Sequence, residues 1–216
     1  MCIDYPGNIK TDEILLKTLI IGRVYSATLE RDQSHTGKKP REGKDFYLTQ
    51  VVPRFKIFFR QKDIIHLVEN IKNKNTINDE IVLHGKFVKA IGPERGTKIS
   101  FASKYLHFHF KNNFFIYDSR AIKALPYLET FMGLEKIKEL KKLNTITIAP
   151  KDIDHINADY YNFASRCYIL QLGIKELKGS CTNRQLDNIL LDIANIIMLY
   201  EIQEPTKKVN KKAKIQ

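Results

Sequence analysis

The residue types that can do chemistry gather in one stretch of this chain. Asp118 ends an apolar run, Phe115-Ile116-Tyr117, and begins a helical pattern, with Arg120 two residues on. Upstream, Gly92 and Gly96 bracket a turn, and Lys98, Ser100 and Lys104 follow on the next helical pattern. A carboxylate at a helix start stays ionised, because backbone N–H groups and the helix dipole favour the anion. Such a fixed anion stabilises positive charge developing on a substrate, or takes a proton from an attacking water. Cations such as Lys98, Lys104 and Arg120 on either side of it would hold phosphates. Asp is also a favoured N-cap residue, and one side chain can serve both ends. His107 and His109 stand two apart, on different helix faces, so no metal site is expected from them. Tyr105, His107, Phe108 and Phe110 are assigned to core and boundary positions. Asp79, Glu80 and Glu94 lack the clustered spacing of a metal-dependent nuclease.

Helices must position these residues. Thr11 caps a pattern over 11–30, with Asp12 and Glu13 in its first turn and Ile14, Leu15, Leu19 and Ile20 at helical spacing. A basic loop from Arg31 to Asp45 carries Gly37, Pro40 and Gly43 as breakers. Phe46–Phe59 is aromatic and β-branched but interrupted by Pro53, which leaves strand and short helix both open. Helical patterns return at 61–72 and 79–91, then after the turn from Gly92 to Thr97 at 98–110, so that about 79–110 forms a helix-turn-helix element. Phe114–Tyr117 is extended, and helices are expected from Asp118-Ser119 to about Phe131, over 157–178 and over 183–201. The last has a capping box in Thr182 and Gln185 and turns Leu186, Ile189, Leu190, Ile193 and Ile197 inward. The expected fold is mainly α: one helical domain over 1–204, with a single core or two small lobes, and a disordered basic tail over 205–216.

Charge decides the partner. The net charge is +12, and it is concentrated. Between Arg31 and Lys62 nine Lys/Arg face three acids, and between Lys86 and Lys111 six face one. The tail beyond Pro205 carries five lysines and no acid. Clusters of this kind attract a polyanion by releasing its condensed counterions, so DNA is the expected partner. No helix pairs a Lys/Arg face with an exposed apolar one, and no apolar run reaches the ~18–20 residues needed to cross a bilayer. The N-terminus lacks the order of a signal peptide, and three cysteines without metal-type spacing read as reduced thiols. Together these point to a monomer in a bacterial-type cytosol.

The stretch Lys98-Ile-Ser-Phe-Ala-Ser-Lys-Tyr-Leu-His-Phe-His-Phe110, followed by Phe115-Ile-Tyr-Asp-Ser-Arg-Ala121, resembles the helix-hairpin-helix (HhH-GPD) DNA glycosylases over about residues 80–125. Weaker echoes lie at 20–27 and 183–190. In that superfamily a glycine-bearing hairpin grips DNA phosphates, and a catalytic Asp follows an apolar stretch at a helix start. The resemblance implies Gly92, Arg95, Gly96, Lys98, Ser100, Lys104 and Arg120 at the DNA and Asp118 as the catalytic residue. The family's Leu-Pro-Gly-hydrophobic-Gly hairpin is replaced here by Ile91-Gly-Pro-Glu-Arg-Gly96. In the register that aligns Asp118, the position of the Schiff-base lysine of bifunctional members is Ser100, which implies a monofunctional enzyme. Lys98 stands about 200° around the helix from Ser100, and Lys104 shares its face about 6 Å further along, nearer a phosphate than the sugar. No Cys quartet follows the last helix, so no iron–sulfur cluster, and no other cofactor, is implied.

The implied activity is hydrolysis of the N-glycosidic bond of a damaged or modified base, in repair or in defence against modified foreign DNA. Cleavage builds oxocarbenium-like charge on the sugar, which Asp118 would stabilise. The base must be flipped out of the duplex, and candidates for its pocket are Arg23, Tyr25, Arg31, Tyr117, Arg184 and Asp187. Each of these also fits a packing or surface role. The alternative function is a nucleic-acid-binding module on the same helical scaffold, without chemistry.

Overall fold

Helical spacing dominates the sequence, and helices are what form. The computed structural model describes residues 8–25, 27, 29, 45–74, 76–92, 96–110 and 113–203. Every regular element among them is a helix, so the protein is a multi-helix all-α assembly. No helix among the described residues is long and apolar enough to cross a membrane. The expected basic loop and tail, with Arg31 and Arg95, lie outside the described residues.

Helix α1 (Thr11–Val24) has Asp12 and Glu13 in its first turn and buries Ile14 and Ile21. It stops at Val24, short of the expected 30, because Tyr25 leaves the helix and gives its carbonyl to Lys104. The open segment 46–59 resolves as helix. A wide π turn, Tyr47–Val51, runs into α2 (Val52–Phe59). Pro53, with no N–H to donate, falls in the first turn of α2, where a proline is tolerated. Next come α3 (Lys62–Lys74), α4 (Ile77–Ile91) and α5 (Gly96–His109). Then α6 (Ser119–Met132) and α8 (Ala158–Lys178) lead to α9 (Asn183–Gln203). The capping box ahead of α9 forms: Gln185 N–H donates to Thr182 Oγ1, and Thr182 N–H to Gln185 Oε1. Residues 134–155, for which no element is expected from the sequence, hold α7 (Leu134–Leu143) and a 3-10 turn, Pro150–His155. Helix α7 anchors only through Ile137 and Leu140 and is otherwise a charged surface helix.

Helix α4 is the hub. Ile81, Leu83, Phe87 and Val88 are fully buried, and it packs against α2, α3, α5, α8 and the 3-10 turn. Where α2, α4 and α5 meet, Phe55 sits 4.9 Å from Phe87 and 5.1 Å from Tyr105, ring centre to ring centre. Edge-on aromatic pairs at these distances add to the burial of their area. The α6–α9 pair closes the other side through Ala121, Ala124 and Leu125 on one helix and Leu186, Leu190 and Ala194 on the other. Small residues there let the two backbones approach.

Gly85 marks where the 3-10 turn crosses α4. A methyl group there would stand 1.8 Å from the backbone oxygen of His155. At Gly173 the nearest atom is the flexible end of Met132, 2.0 Å away. Gly85→Ala should therefore destabilise the protein by about 1–3 kcal/mol or more, because backbone must move, and Gly173→Ala by clearly less. Urea unfolding of the two variants measures the difference, and equal midpoints would contradict this packing.

Candidate active site and nucleic-acid interface

Between α5 and α6 the chain runs from Asn113 to Asp118 without regular structure, so each backbone polar group needs its own partner. Glu80 of α4 receives Asn113 Nδ2 at 2.9 Å and the Phe114 N–H at 3.1 Å. His107 Nδ1 donates to the Phe114 carbonyl at 2.8 Å, which fixes the proton on that nitrogen. Tyr160 O–H donates to the Phe115 carbonyl at 3.2 Å, and the Tyr117 N–H to Ser103 Oγ at 2.9 Å. These contacts hold Phe114 at a φ of 56°, a left-handed conformation costly for a phenylalanine. Asp118 then caps α6, its Oδ1 accepting the Arg120 N–H at 2.9 Å.

Lys104 completes the site. Its side chain is 6% exposed, and its ammonium has three acceptors: the Tyr25 carbonyl at 3.0 Å, Ser100 Oγ at 3.1 Å and Asp118 Oδ2 at 3.4 Å. An ammonium has three N–H donors, so the set is complete. This corrects the helical-wheel expectation that Lys104 stands a turn away from Ser100. Helical side chains lean toward the N-terminus of their helix, and this one spans the turn back to Ser100. Arg120 adds a second cation, its Nε 3.4 Å from Asp118 Oδ1. Burial works against the Asp118 anion, but the Arg120 N–H, the Lys104 ammonium and the Arg120 guanidinium outweigh it and hold the carboxyl below its usual range.

The first turns of α6 and α9 converge here. Asp187, 6% exposed, accepts Arg184 Nη1 at 2.8 Å. Burial pushes its carboxyl up, against Arg184, His107 and Lys104, and the Asp118 charge adds to the rise. Burial likewise lowers His107, opposed by the Phe114 carbonyl and Asp187. The structure thus gathers Tyr25 (through its backbone), Ser100, Lys104, Asp118, Arg120, Arg184 and Asp187. Tyr25 also packs its ring 4.6 Å from Phe108. Tyr117 turns its ring edge-on to Phe163 at 5.3 Å, a packing contact. Arg23 lies exposed on the last turn of α1. Gly92 and Lys98 form a separate group at the α4–α5 turn, where Arg54 joins them.

His107 is the member that spacing could have revealed. Ser100, Lys104 and His107 follow at i, i+4 and i+7, one stripe of α5. Glu80 carries no such signal, because its partners lie 33 and 34 residues away. Among the described residues no three His, Cys, Asp or Glu side chains gather so as to hold a metal ion. His109 instead faces Lys17, 3.0 Å from its Nζ. Compared with known proteins, the chain finds no match: no family model, no curated protein and no solved structure matches it.

The buried groups around this frame make stability pH-dependent. Burial lowers His84 and His109 to about 3, with Lys17 adding to the fall for His109. His107 is lowered too. Their neutral forms stabilise the fold, fully above about pH 6.5, and this contribution is lost as pH falls below that value. Glu80 acts in the opposite sense. Burial raises it to about 7, so folding retains a proton that the unfolded chain releases above about 4.5. Asp187, also raised by burial, acts in the same sense as Glu80. Three histidines outweigh these two carboxyls, so the melting temperature should fall from pH 7 to pH 5. Glu80→Gln, which removes one opposing group, should steepen that fall. A flat profile by calorimetry would contradict the neutral histidines.

Proposed function

We propose that this protein is a DNA N-glycosylase that hydrolyses the bond between deoxyribose and a damaged or modified base flipped out of the duplex. The observation that carries the proposal is Asp118: an ionised carboxylate, its side chain 20% exposed, fixed at a helix start and flanked by Lys104 and Arg120. An oxocarbenium-like sugar is stabilised by such an anion, and an attacking water can pass it a proton. Arg120, whose side chain is 58% exposed, suits a phosphate beside a flipped nucleotide, while the buried Lys104 holds Asp118 in place. Tyr25, Arg184 and Asp187 border the same group and are the candidates to meet the base. The resemblance to the helix-hairpin-helix glycosylases supports this reading through Ser100, which stands one hydrogen-bonded residue from Asp118 by way of Lys104.

A lysine attacks a sugar aldehyde only with a free lone pair. The Lys104 ammonium has all three N–H groups engaged, and Ser100 offers a hydroxyl that forms no imine. The expected product is an abasic site in an intact strand. The second reading, a binding module without chemistry, draws on the Asp118–Arg120 cap bond, which a purely structural Asp would also make.

Incubation with duplexes carrying lesions and modified bases, followed by mild alkali, separates the two. Wild-type protein should generate alkali-labile sites on one of them. Asp118→Asn should lower base release at least about a hundredfold while binding DNA as well as wild type or better. Full turnover by that variant would remove Asp118 from the chemistry.

On the active duplex, borohydride should trap no covalent protein–DNA adduct. A trapped adduct that disappears in Lys104→Ala would show that the amine leaves its three acceptors and attacks.

A further inference from the structure

Helix α8 carries a mixed stripe that no neighbouring helix covers in full. Tyr161, Ser165 and Ile169 follow at i, i+4 and i+8, with Asn162 and Arg166 beside them. Helix α7 packs on α8, held by its buried Ile137 and Leu140, and stops at Leu143. From Asn144 to Ala149 the chain has no regular structure. Asn78 of α4 pins this connection, its Nδ2 donating to the Thr147 carbonyl at 2.8 Å. Fixed by α7 on one side and by α4 on the other, the connection leaves a cavity of about 330 Å³ against α8.

The lining combines three kinds of group. Ile146 and Ile169 are its apolar part, and Tyr161 is half-buried beside them. Ser165 Oγ donates to the Tyr161 carbonyl at 2.6 Å, and Asn144 Nδ2 to the Leu140 carbonyl at 3.0 Å. Each of these two side chains keeps an oxygen that can accept. The Asn162 amide, the Tyr161 hydroxyl and the Lys141 ammonium have no hydrogen-bond partner among the described residues, so their donors remain available. Arg166 binds both oxygens of Glu129, through Nε at 2.9 Å and Nη2 at 2.7 Å. That pair cancels in charge and uses two of the five guanidinium N–H groups, leaving three. Lys141 is not so cancelled, and the cavity is left positive.

Such a lining asks for a ligand with an anionic group, an apolar face and an edge of mixed donors and acceptors. A nucleobase supplies the face and the edge, and a phosphate the charge. The volume lies at the small end of the ~300–1,000 Å³ range of small-molecule sites, which suits one nucleotide and not a strand. We propose that the cavity between α7 and α8 is a binding site for a single nucleoside monophosphate. Lys141 and the remaining N–H groups of Arg166 take the phosphate. Asn144, Asn162 and Ser165 meet the base edge, and the apolar residues meet its face. Glu129, which fixes Arg166, lies eleven residues along α6 from Asp118, about 16 Å at 1.5 Å per residue. The site is separate from the Asp118 group and does not depend on what that group does. Its ligand bridges α7 to α8, so occupancy clamps a helix that two buried side chains otherwise anchor.

The test is isothermal titration calorimetry of the full chain with the ribo- and deoxyribonucleoside monophosphates of the common bases. The matching nucleoside and inorganic phosphate are titrated as the two halves of the ligand. At least one monophosphate should bind at one site per chain, more tightly than either half. Lys141 and Asn162 are exposed, so Lys141→Gln and Asn162→Ala should keep the wild-type melting temperature. Lys141→Gln should weaken binding about tenfold, the loss of a charge-assisted contact, and Asn162→Ala about threefold. Lys138→Gln, the same charge change on the same helix at a lysine paired with Glu135, should bind as wild type does. Bound nucleotide should also slow amide exchange in α7.

No binding of any monophosphate at low millimolar concentration would overturn the site. Wild-type affinity in both Lys141→Gln and Asn162→Ala would place the nucleotide elsewhere and overturn it too. Inorganic phosphate binding as tightly as the monophosphate would make the cavity a plain anion site, and an equally tight nucleoside would remove the phosphate contact. Either result would overturn the proposal. None of these measurements involves duplex DNA, so the base-excision reading stands or falls separately.

Discussion

The segment from Asn113 to Asp118 governs the rest of the structure, because irregular backbone inside a helical protein has no ladder of its own. A buried N–H or C=O left without a partner costs on the order of 1–3 kcal/mol, and four of the segment's groups are met by side chains from elsewhere. Glu80 reaches it from α4, His107 and Ser103 from α5, and Tyr160 from α8. Three helices are thus fixed to six residues. The strained φ of Phe114 follows from the same arrangement, since it turns an N–H to Glu80 and a carbonyl to His107. Asp118 ends the segment, and its place is set by contacts that it does not make.

Around that endpoint, electrostatics divides two carboxylates. Asp118 sits on a helix N-terminus with Lys104 and Arg120 against it, and stays an anion. Asp187 starts from greater burial, and the charge of Asp118 opposes its ionisation despite Arg184 at 2.8 Å. Burial and the Asp118 charge raise Asp187, while the helix start and its two cations lower Asp118, so the environment drives the two carboxyls apart. Lys104 contributes to both. It is the buried cation of the group, and its acceptors come from the end of α1, the first half of α5 and the start of α6. The loss of that ammonium would leave Asp118 half-buried and short of a counter-charge, the kind of change that is strongly destabilising.

How far the sequence revealed this depends on whether the partner was local. The capping box Thr182/Gln185, the cap at Asp118 and the helical stripes are spacing effects, and a sequence shows spacing. The end of α1 at Val24 was hidden, because Tyr25 leaves the helix for a lysine 79 residues away. The segment 46–59 was ambiguous because Val and Phe favour strands, yet their burial against α4 and α5 is equally served by a helix, and tertiary packing overrides propensity. Helix α7 was missed because it turns only Ile137 and Leu140 into the core. At the site, one stripe of α5 was legible and two of its three members were used: Ser100 and Lys104 stood out by charge and register, while His107 was left with the core residues. Glu80 and Arg54 act across long sequence separations, and only coordinates reveal such pairs.

Helix α5 joins the two basic groups and sets their separation. Lys98 lies at its first turn beside Gly92 and Arg54, and Lys104 lies six residues on, against Asp118. Six residues of α-helix advance about 9 Å and, at about 100° per residue, turn about 240°, so the two groups face different sides of α5. Side chains on a buried helix hold such an offset better than side chains on loops. Phe101, Ala102, Tyr105 and Leu106 are all fully buried, so core packing fixes α5 and with it the separation of the two groups.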